Sequence, residues 1–312
     1  MSAQTALRIA VLVPCLNEAS TIAAVVCDFK AALPGCEVHV FDNNSNDATI
    51  EVAKSAGAHV RTVPLRGKGN VIRRMFADVE ADIYVLVDGD DTYDAKETPT
   101  MIEMLLADGL DMVVGTRISE EQAAYRFGHR FGNVLLTRCV SCLFGRTFTD
   151  MLSGFRVFSR RYVKSFPAHA SGFETETELT VHALELRMPV AETPTVYRSR
   201  PEGSASKLNT YRDGFRILVT IVKLFKTEKP LAFFSLGSGL CAFISILLAV
   251  PLFDTFIRTG LVPRLPTALL CVALMLFGAI LLVCGIVLDT VTHGRAESKR
   301  LAYLTIPAPR RV

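Results

Sequence analysis

Two apolar runs near the carboxyl end constrain this chain more than any other feature. Leu231 to Phe253 and Pro266 to Leu288 are each 23 residues long and contain no charged residue. As a helix, each run would span ~34 Å, which is enough to cross a hydrocarbon core of ~30 Å. Buried core helices are rarely uncharged over this length. The sequence therefore predicts two membrane-spanning helices.

The basic residues around these runs predict their orientation. The only basic residues of the link between the runs are Arg258 and Arg264, whereas lysine and arginine are frequent before the first run and after the second. Such residues accumulate on the cytoplasmic side of a membrane. We therefore expect a multi-pass protein of the cell (inner) membrane, with the large amino-terminal domain and both termini in the cytoplasm.

The chain before the first run contains a basic segment with helical spacing of its apolar residues, which predicts an amphipathic helix on the membrane surface. A soluble helix packed on the domain would show the same apolar stripe. The expected organisation is a domain over 1–209, this helix over 210–230, spans at 231–253 and 266–288, a short external loop at 254–265 and a basic tail at 289–312.

The amino-terminal domain alternates short apolar runs with helical patterns. The predicted buried strands are Leu7 to Val13, Glu37 to Phe41, Ala58 to Val63, Ile83 to Val87 and Asp111 to Gly115. Such alternation is typical of an α/β fold, in which a mostly parallel, Rossmann-like sheet is flanked by helices. Ligands bind such sheets beyond the carboxyl ends of the strands.

Three of these strand ends carry polar residues suited to a nucleotide diphosphate. Asp42 and the following Asn/Ser cluster suit a base and ribose, and Lys68 between two glycines suits a phosphate. Asp88 and Asp90 are alternate carboxylates, which suit Mg²⁺ or Mn²⁺. Ordinary turns use the same residue types, with Asp94 or Thr92 as a cap for the next helix.

Composition excludes some classes of partner. The net charge of +3 gives no case for a nucleic-acid partner. The pair Cys139 and Cys142 has no second pair or histidine cluster, so helix packing explains it better than zinc or redox chemistry. No signal peptide is expected, because Met1 to Arg8 lacks a charged segment followed by an apolar one.

A series of motifs in order resembles family 2 glycosyltransferases with the GT-A fold. It comprises Val13-Pro-Cys-Leu-Asn-Glu18, Asp42-Asn-Asn-Ser-Asn-Asp47, Gly67-Lys-Gly69 and Asp88-Gly-Asp90. Later motifs resemble polyprenyl-phosphate sugar synthases of the dolichyl-phosphate mannose synthase type. These are Gly115-Thr-Arg117, Ser153-Gly-Phe-Arg156 and Gly203-Ser-Ala-Ser-Lys-Leu208. The likeness covers residues 7 to about 230. Many relatives have a glutamine metal ligand where this chain has Thr92, which leaves the third metal ligand open.

The resemblance assigns expected roles to individual residues. Asp88 and Asp90 would hold the metal, and Asp150 would lie near the acceptor as a catalytic residue. The nucleotide-sugar would contact Pro14, Asn17, Glu18, Asp42, Asn44, Lys68, Asp88, Gly89 and Asp90. The lipid phosphate would contact Arg117, Arg130, Arg198, Ser206 and Lys207, with Arg126 as an alternative to Arg130.

Two acidic features have simpler readings. A cap or a structural ion pair with Arg156 explains Asp150 as well as a role near the acceptor does. Glu174, Glu176 and Glu178 alternate at a helix start, where the helix dipole favours glutamate, so solvation and capping explain them better than chemistry does.

The expected enzyme is a polyprenyl-phosphate hexosyltransferase. It would transfer a hexose from a UDP- or GDP-sugar to undecaprenyl or dolichyl phosphate in the bilayer, with Mg²⁺ or Mn²⁺. A polyprenyl phosphate is already anionic, so it can attack without a base, and direct displacement inverts the anomeric centre. The resemblance is also compatible with homo-oligomers, for which Gly237 and Gly239 would allow close helix approach.

Two other functions compete with this one. A membrane glycosyltransferase acting on a sugar hydroxyl would need a base, for which Asp150 is the candidate. Processive enzymes of that kind carry a QxxRW motif, and this chain has no tryptophan. The second rival is an inactive GT-A domain that serves as a membrane scaffold.

Overall fold

The computed structural model describes residues 7–119, 148–168, 174–198, 219–220 and 222–308. The chain forms two compact units. The sheet unit comprises Met1–Ile217 and Ser298–Val312, and the helix unit comprises Leu218–Glu297.

The sheet unit is built on a seven-stranded mixed sheet in the order β3-β2-β1-β4-β6-β5-β7. Its strands are β1 (Ile9–Cys15), β2 (Glu37–Asp42), β3 (His59–Thr62), β4 (Ile83–Leu86), β5 (Met112–Ser119), β6 (Arg156–Ser159) and β7 (Val190–Tyr197). The first four strands are parallel to one another, and β5 is parallel to β7. Only β6 runs antiparallel, between β4 and β5. The predicted α/β class with a mostly parallel sheet is confirmed.

Helices cover the sheet. They are α1 (Ile22–Ala32), α2 (Thr49–Ser55), α3 (Lys68–Asp78), α4 (Thr98–Ala107), α5 (Arg160–Ser165) and α6 (Thr175–Glu185). In α1 the buried residues are Ile22, Val25, Val26 and Phe29, which recur at the spacing of one helix face. A 3₁₀ turn at Ala95–Glu97 precedes α4, and Asp94 caps it by accepting a hydrogen bond from the amide of Lys96. Of the two predicted caps, Asp94 is the one observed.

Strand β5 corrects one expectation. The predicted strand ended at Gly115, but β5 continues to Ser119 because β7 pairs with it along its whole length, from Met112 opposite Val190 to Ser119 opposite Tyr197. Arg117 therefore lies within the strand and not after it.

The helix unit contains a helical stretch at 222–228, then α7 (Pro230–Thr259) and most of α8 (Leu265–Leu304). Both long helices overrun the predicted spans. The link shrinks to 260–264, where Gly260 ends α7 with φ 69°, and the predicted tail is helical as far as Leu304. Hydropathy marks where charged residues begin, whereas a helix continues through charged residues with good helical propensity.

Both helices are long and apolar enough to cross a membrane, by length and composition. Only 6% of the most apolar stretch of α7 and 17% of that of α8 is buried, whereas a core helix of a soluble protein would be mostly buried. Small residues let α7 and α8 approach each other. A Cβ on Gly278 would lie 3.2 Å from the carbonyl oxygen of Ser238, and the Ser245 hydroxyl donates to the carbonyl of Cys271.

Candidate active site

The carboxyl ends of β1, β2, β3 and β4 lie at one edge of the sheet, because these strands are parallel. Hydrogen bonds tie the loops that follow them together. The amide of Asn17 donates to the Ser45 hydroxyl at 2.8 Å, and the amide of Gly67 donates to the side-chain oxygen of Asn43 at 2.7 Å. The loops after β1, β2 and β3 are therefore joined to one another at this edge.

Three residues of this edge adopt left-handed backbone conformations. The φ angles are 55° for Asn17, 64° for Asn44 and 56° for Asp91. Asparagine and aspartate tolerate this region better than other side chains with a Cβ. Left-handed residues other than glycine tend to cluster at functional sites. The loops after β1, β2 and β4 are thus bent sharply at the same edge.

The proposed nucleoside residues surround a buried carboxylate. Asp42 ends β2 and is fully buried, and its Oδ2 accepts from the amide of Ser45 at 3.1 Å. Its Oδ1 has no hydrogen-bond partner among the described residues. A buried acceptor without a partner is costly, so this oxygen is suited to a ligand donor. Pro14 lies in β1, and Glu18 follows it in a loop whose backbone is tied to Thr49.

The acidic turn after β4 is held by its backbone. The carbonyl of Gly89 accepts from the Thr21 hydroxyl at 2.7 Å. A Cβ on Gly89 would lie 2.7 Å from the Cys15 sulfur, so a larger residue between the two aspartates would displace the buried Cys15 side chain. Asp90 is buried, and its Oδ1 accepts from the Thr92 hydroxyl at 2.6 Å. Thr92 thus contacts a predicted metal ligand directly.

Lys68 joins the acidic turn to a residue that the sequence interpretation missed. Its ammonium lies 2.6 Å from Asp88 Oδ1 and 2.6 Å from Glu176 Oε1. Burial alone would lower the pKa of Lys68, but the two carboxylates outweigh burial and raise it, so the lysine is charged. Solvation and capping are therefore the wrong explanation for Glu176, which is buried in this cluster. Its spacing from Glu174 and Glu178 gave no sign of this, because the partner is distant in sequence.

The predicted acceptor residues include a paired aspartate. Both oxygens of Asp150 accept from Arg117, at 2.7 Å from Nε and 2.7 Å from Nη2. The alternative of a structural ion pair with Arg156 is wrong: Arg156 is fully buried and donates to Ser153, Met151 and Thr180. Arg117 also lies over the Tyr197 ring.

Arg198 pairs with Asp94 at 2.8 Å, and its amide donates to the carbonyl of Thr92. It thereby contacts the segment that follows the acidic turn. The remaining predicted acceptor residues, Arg126, Arg130, Ser206 and Lys207, lie outside the described residues, as do Cys139 and Cys142.

The Ser-Gly-Phe-Arg motif is packed against the acidic turn. The Ser153 hydroxyl donates to the carbonyl of Gly115, and the amide of Gly154 donates to the Tyr93 hydroxyl at 3.0 Å. A Cβ on Gly154 would overlap Asp88 Oδ2. This glycine is therefore needed for the close approach, a role that the motif alone did not reveal.

The carboxylates fit a metal bound together with a diphosphate. Among the described residues no group of three or more His, Cys, Asp or Glu side chains is arranged to hold a metal by itself. Mg²⁺ is usually held by one or two carboxylates together with substrate phosphates and water. Asp88 and Asp90 supply such a pair, with Lys68 beside them for the phosphate charge.

Comparisons with known proteins agree with this geometry. The model of the glycosyl transferase family 2 matches residues 10–166. Glycosyltransferase AglJ of Haloferax volcanii is 32% identical over 307 residues, which cover 95% of this chain and 98% of AglJ. A dolichyl-phosphate hexose transferase of the same organism is 28% identical over 221 residues, covering 71% of this chain and 95% of that protein.

A solved structure shows the same fold. Glucosyl-3-phosphoglycerate synthase from Mycobacterium tuberculosis, crystallised with Mn²⁺, UDP and glucosyl-3-phosphoglycerate, matches with a TM-score of 0.57 and 24% identity over 71% of this chain and 80% of its own. The expected GT-A-like fold is thereby confirmed. The family model and the full-length similarity to AglJ together show that this chain belongs to glycosyl transferase family 2.

Proposed function

We propose that this glycosyltransferase transfers a hexose from a nucleotide-sugar to a polyprenyl phosphate, with inversion at the anomeric carbon and with Mg²⁺ or Mn²⁺. The relative named dolichyl-phosphate hexose transferase supports a lipid phosphate as acceptor. Two exposed apolar helices in the same chain support a substrate that resides in a membrane. The catalytic domain and both termini would face the cytoplasm.

The ion pair between Asp150 and Arg117 is the observation that favours a phosphate acceptor over a sugar hydroxyl. Transfer to a sugar hydroxyl requires a base, and Asp150 is the candidate that the sequence offers. Both of its oxygens accept from the Arg117 guanidinium at 2.7 Å, so both are already engaged by a cation. A phosphate acceptor is already anionic and needs no base. The site therefore suits a phosphate better than a hydroxyl.

The donor end of the site would hold the nucleotide. The unpartnered oxygen of Asp42 suits a donor group of the base or ribose. Asp88 and Asp90 would hold the divalent cation, which neutralises charge on the leaving diphosphate. Lys68 is placed to stabilise the same charge, because its ammonium already contacts Asp88.

The reaction is a single displacement. An acceptor phosphate oxygen attacks C1 of the sugar, the bond from C1 to the diphosphate oxygen breaks, and the electron pair leaves with the nucleoside diphosphate. Arg117, oriented by Asp150, would position the attacking phosphate on the face opposite the leaving group. Arg198, Arg130, Ser206 and Lys207 are proposed to assist it.

The test uses the full-length protein in detergent with Mg²⁺ or Mn²⁺. It is offered radiolabelled UDP- and GDP-sugars in turn, with either undecaprenyl phosphate or undecaprenol as acceptor. Lipid-extracted label is expected with one donor, only with the phosphate, and not after chelation of the metal. The Asp90→Ala variant serves as the inactive control.

Each other outcome supports a different function. Label on undecaprenol, or on a soluble sugar acceptor alone, would replace this proposal with transfer to a hydroxyl. Nucleotide binding without transfer to any lipid would also favour a hydroxyl acceptor. Absence of both binding and transfer would leave the scaffold.

A further inference from the structure

Three elements that are distant in the chain meet at one ammonium group. Lys68 begins α3, Asp88 follows β4, and Glu176 lies in the first turn of α6. The lysine nitrogen is 2.6 Å from an oxygen of each carboxylate. The side chains of Lys68 and Glu176 are only 14% and 8% exposed, whereas that of Asp88 is 30% exposed. The accessible end of the cluster is therefore the predicted metal ligand, and the buried end is Glu176.

Two fixed hydrogen bonds remove the freedom of the lysine. A lysine ammonium is a point charge with three donors on a flexible stem. Because two donors are directed at Asp88 and Glu176, the direction of the third is also determined. With Glu176 removed, the ammonium would retain only Asp88 and would be free to move toward the second oxygen of that carboxylate, which a metal needs. Glu176 therefore keeps Lys68 in one position.

The charge of the cluster depends on Glu176. Asp88 and Glu176 contribute two negative charges and Lys68 one positive charge, which gives a net charge of −1. Without Glu176 the remaining pair of Lys68 and Asp88 is neutral. Glu176 is buried, so solvent screens its charge little.

We propose that Glu176 is a positioning residue of the metal and diphosphate centre, where it holds Lys68 and supplies the negative charge that allows Asp88 to bind a divalent cation beside an ammonium group. The inference rests on the proposed function, because it needs a metal and a diphosphate at Asp88 and Asp90.

The test measures metal binding directly. Full-length protein with saturating UDP, and separately with GDP, is titrated with Mn²⁺ while free Mn²⁺ is followed by electron paramagnetic resonance. Glu176→Gln is expected to weaken Mn²⁺ binding ~10-fold and to raise the Mn²⁺ concentration for half-maximal transfer by a similar factor. Glu176→Asp retains the charge and is expected to recover part of the affinity. Glu174→Gln removes the same charge from the same helix end and should bind as the wild type does.

A double-mutant cycle tests whether Glu176 acts on metal binding through Lys68. Lys68→Met is combined with Glu176→Gln, and the loss from Glu176→Gln is expected to shrink by several-fold when the lysine is absent. An undiminished loss in the Lys68→Met background would overturn action through Lys68. Equal Mn²⁺ affinity of Glu176→Gln and Glu174→Gln would overturn the inference outright.

The outcomes also separate the two proposals. Wild-type protein that binds no Mn²⁺ with either nucleotide would overturn the proposed function and this inference with it. Wild-type binding together with an unaffected Glu176→Gln variant would overturn the inference alone. Thermal unfolding in metal-free buffer checks that the variants are folded. If Glu176→Gln is unfolded, the Mn²⁺ affinity of Glu176→Asp is compared with the wild type instead.

Discussion

The two units of this chain differ in whether they bury charged side chains besides apolar ones. In the sheet unit, Arg156, Asp111 and Asp42 are fully buried. In the helix unit, the buried residues of α7 are Pro230 and Ser245, and those of α8 are Cys271, Gly278 and Gly285. Large apolar side chains such as Leu240 and Leu276 are about 60% exposed there. The sheet unit therefore encloses some of its charged side chains, whereas the helix unit exposes its apolar surface.

This difference indicates where the loss of a charged side chain should affect stability or activity. A buried charge must be paired or hydrogen-bonded, so each one fixes the position of its neighbours. Apolar side chains facing lipid need no particular partner, and packing between helices rests on small residues. Identical substitutions in the two units should therefore have unequal effects, which the following predictions use.

The largest difference is expected for aspartate. Asp90→Asn removes a buried charge from the proposed metal centre and should lower kcat by roughly 100- to 1,000-fold, with Asp254→Asn in the helix unit as the matched change. Asp254 is exposed and pairs with Arg258 one turn away, so its loss should change kcat by less than about twofold. Transfer assays on both variants check this. Equal effects would show that the Asp88–Asp90 turn has no special role.

Arginine gives the next contrast. Arg156→Leu leaves the carbonyls of Ser153 and Met151 without a buried donor and should lower the free energy of unfolding by about 3 kcal/mol. Arg258→Leu removes an arginine whose side chain is 74% exposed and should change it by less than about 0.5 kcal/mol. Thermal unfolding of both variants in detergent provides the comparison. A stable Arg156→Leu protein would mean that this motif tolerates an apolar core.

Local patterns were sufficient for the fold class and for the existence of the two long helices. Uninterrupted apolar runs predicted the parallel strands β1 and β4, because strands covered on both faces are apolar throughout. Two uncharged runs predicted α7 and α8. The edge of the sheet where Asp42 and Asp88 meet also followed, since parallel strands place their ends together.

Partners distant in the chain could not be predicted in the same way. Arg117 and Asp150 are 33 positions apart, and Lys68 and Glu176 are 108 apart, so no spacing rule relates them. The approach of Gly154 to Asp88 depends on β6 lying antiparallel beside β4. The expected roles of Arg130, Ser206 and Lys207 stay predictions.

Histidine substitutions in the two units should differ in how they change the pH dependence of stability. Burial, with a smaller effect of the Lys299 charge, lowers the pKa of His182 from 6.5 to about 3. It is faced by Tyr162, Phe166, Ser165 and Lys299. Since Ser165 donates to a carbonyl, the His182 Nε2–H donates to Ser165, and Nδ1 has no partner among the described residues. The folded unit thus holds this histidine neutral.

His182 should make the folded sheet unit less stable as pH falls. Below pH 6.5 the unfolded chain binds a proton that the folded unit does not, so stability decreases by about 2 kcal/mol between pH 6.5 and pH 5. His182→Gln should flatten this dependence, whereas His293→Gln in the helix unit, where the side chain is 75% exposed, should leave it unchanged. Unfolding midpoints at pH 5 and pH 7 measure it. An unchanged slope in His182→Gln would place the acid sensitivity elsewhere.

The smallest effects concern glycines within the helix unit. A Cβ on Gly285 would lie 3.0 Å from the Phe234 Cβ, so Gly285→Ala should destabilise the unit by about 1 kcal/mol. Gly239 has nothing within 4 Å of its added Cβ, so Gly239→Ala should be neutral or slightly stabilising in a monomer. Thermal unfolding and light scattering of both variants in detergent test this. Dissociation of an oligomer by Gly239→Ala alone would show that this open face contacts a second copy, as expected from the sequence. The surface of the helix unit would then be as specific at Gly239 as the buried ion pairs are in the sheet unit.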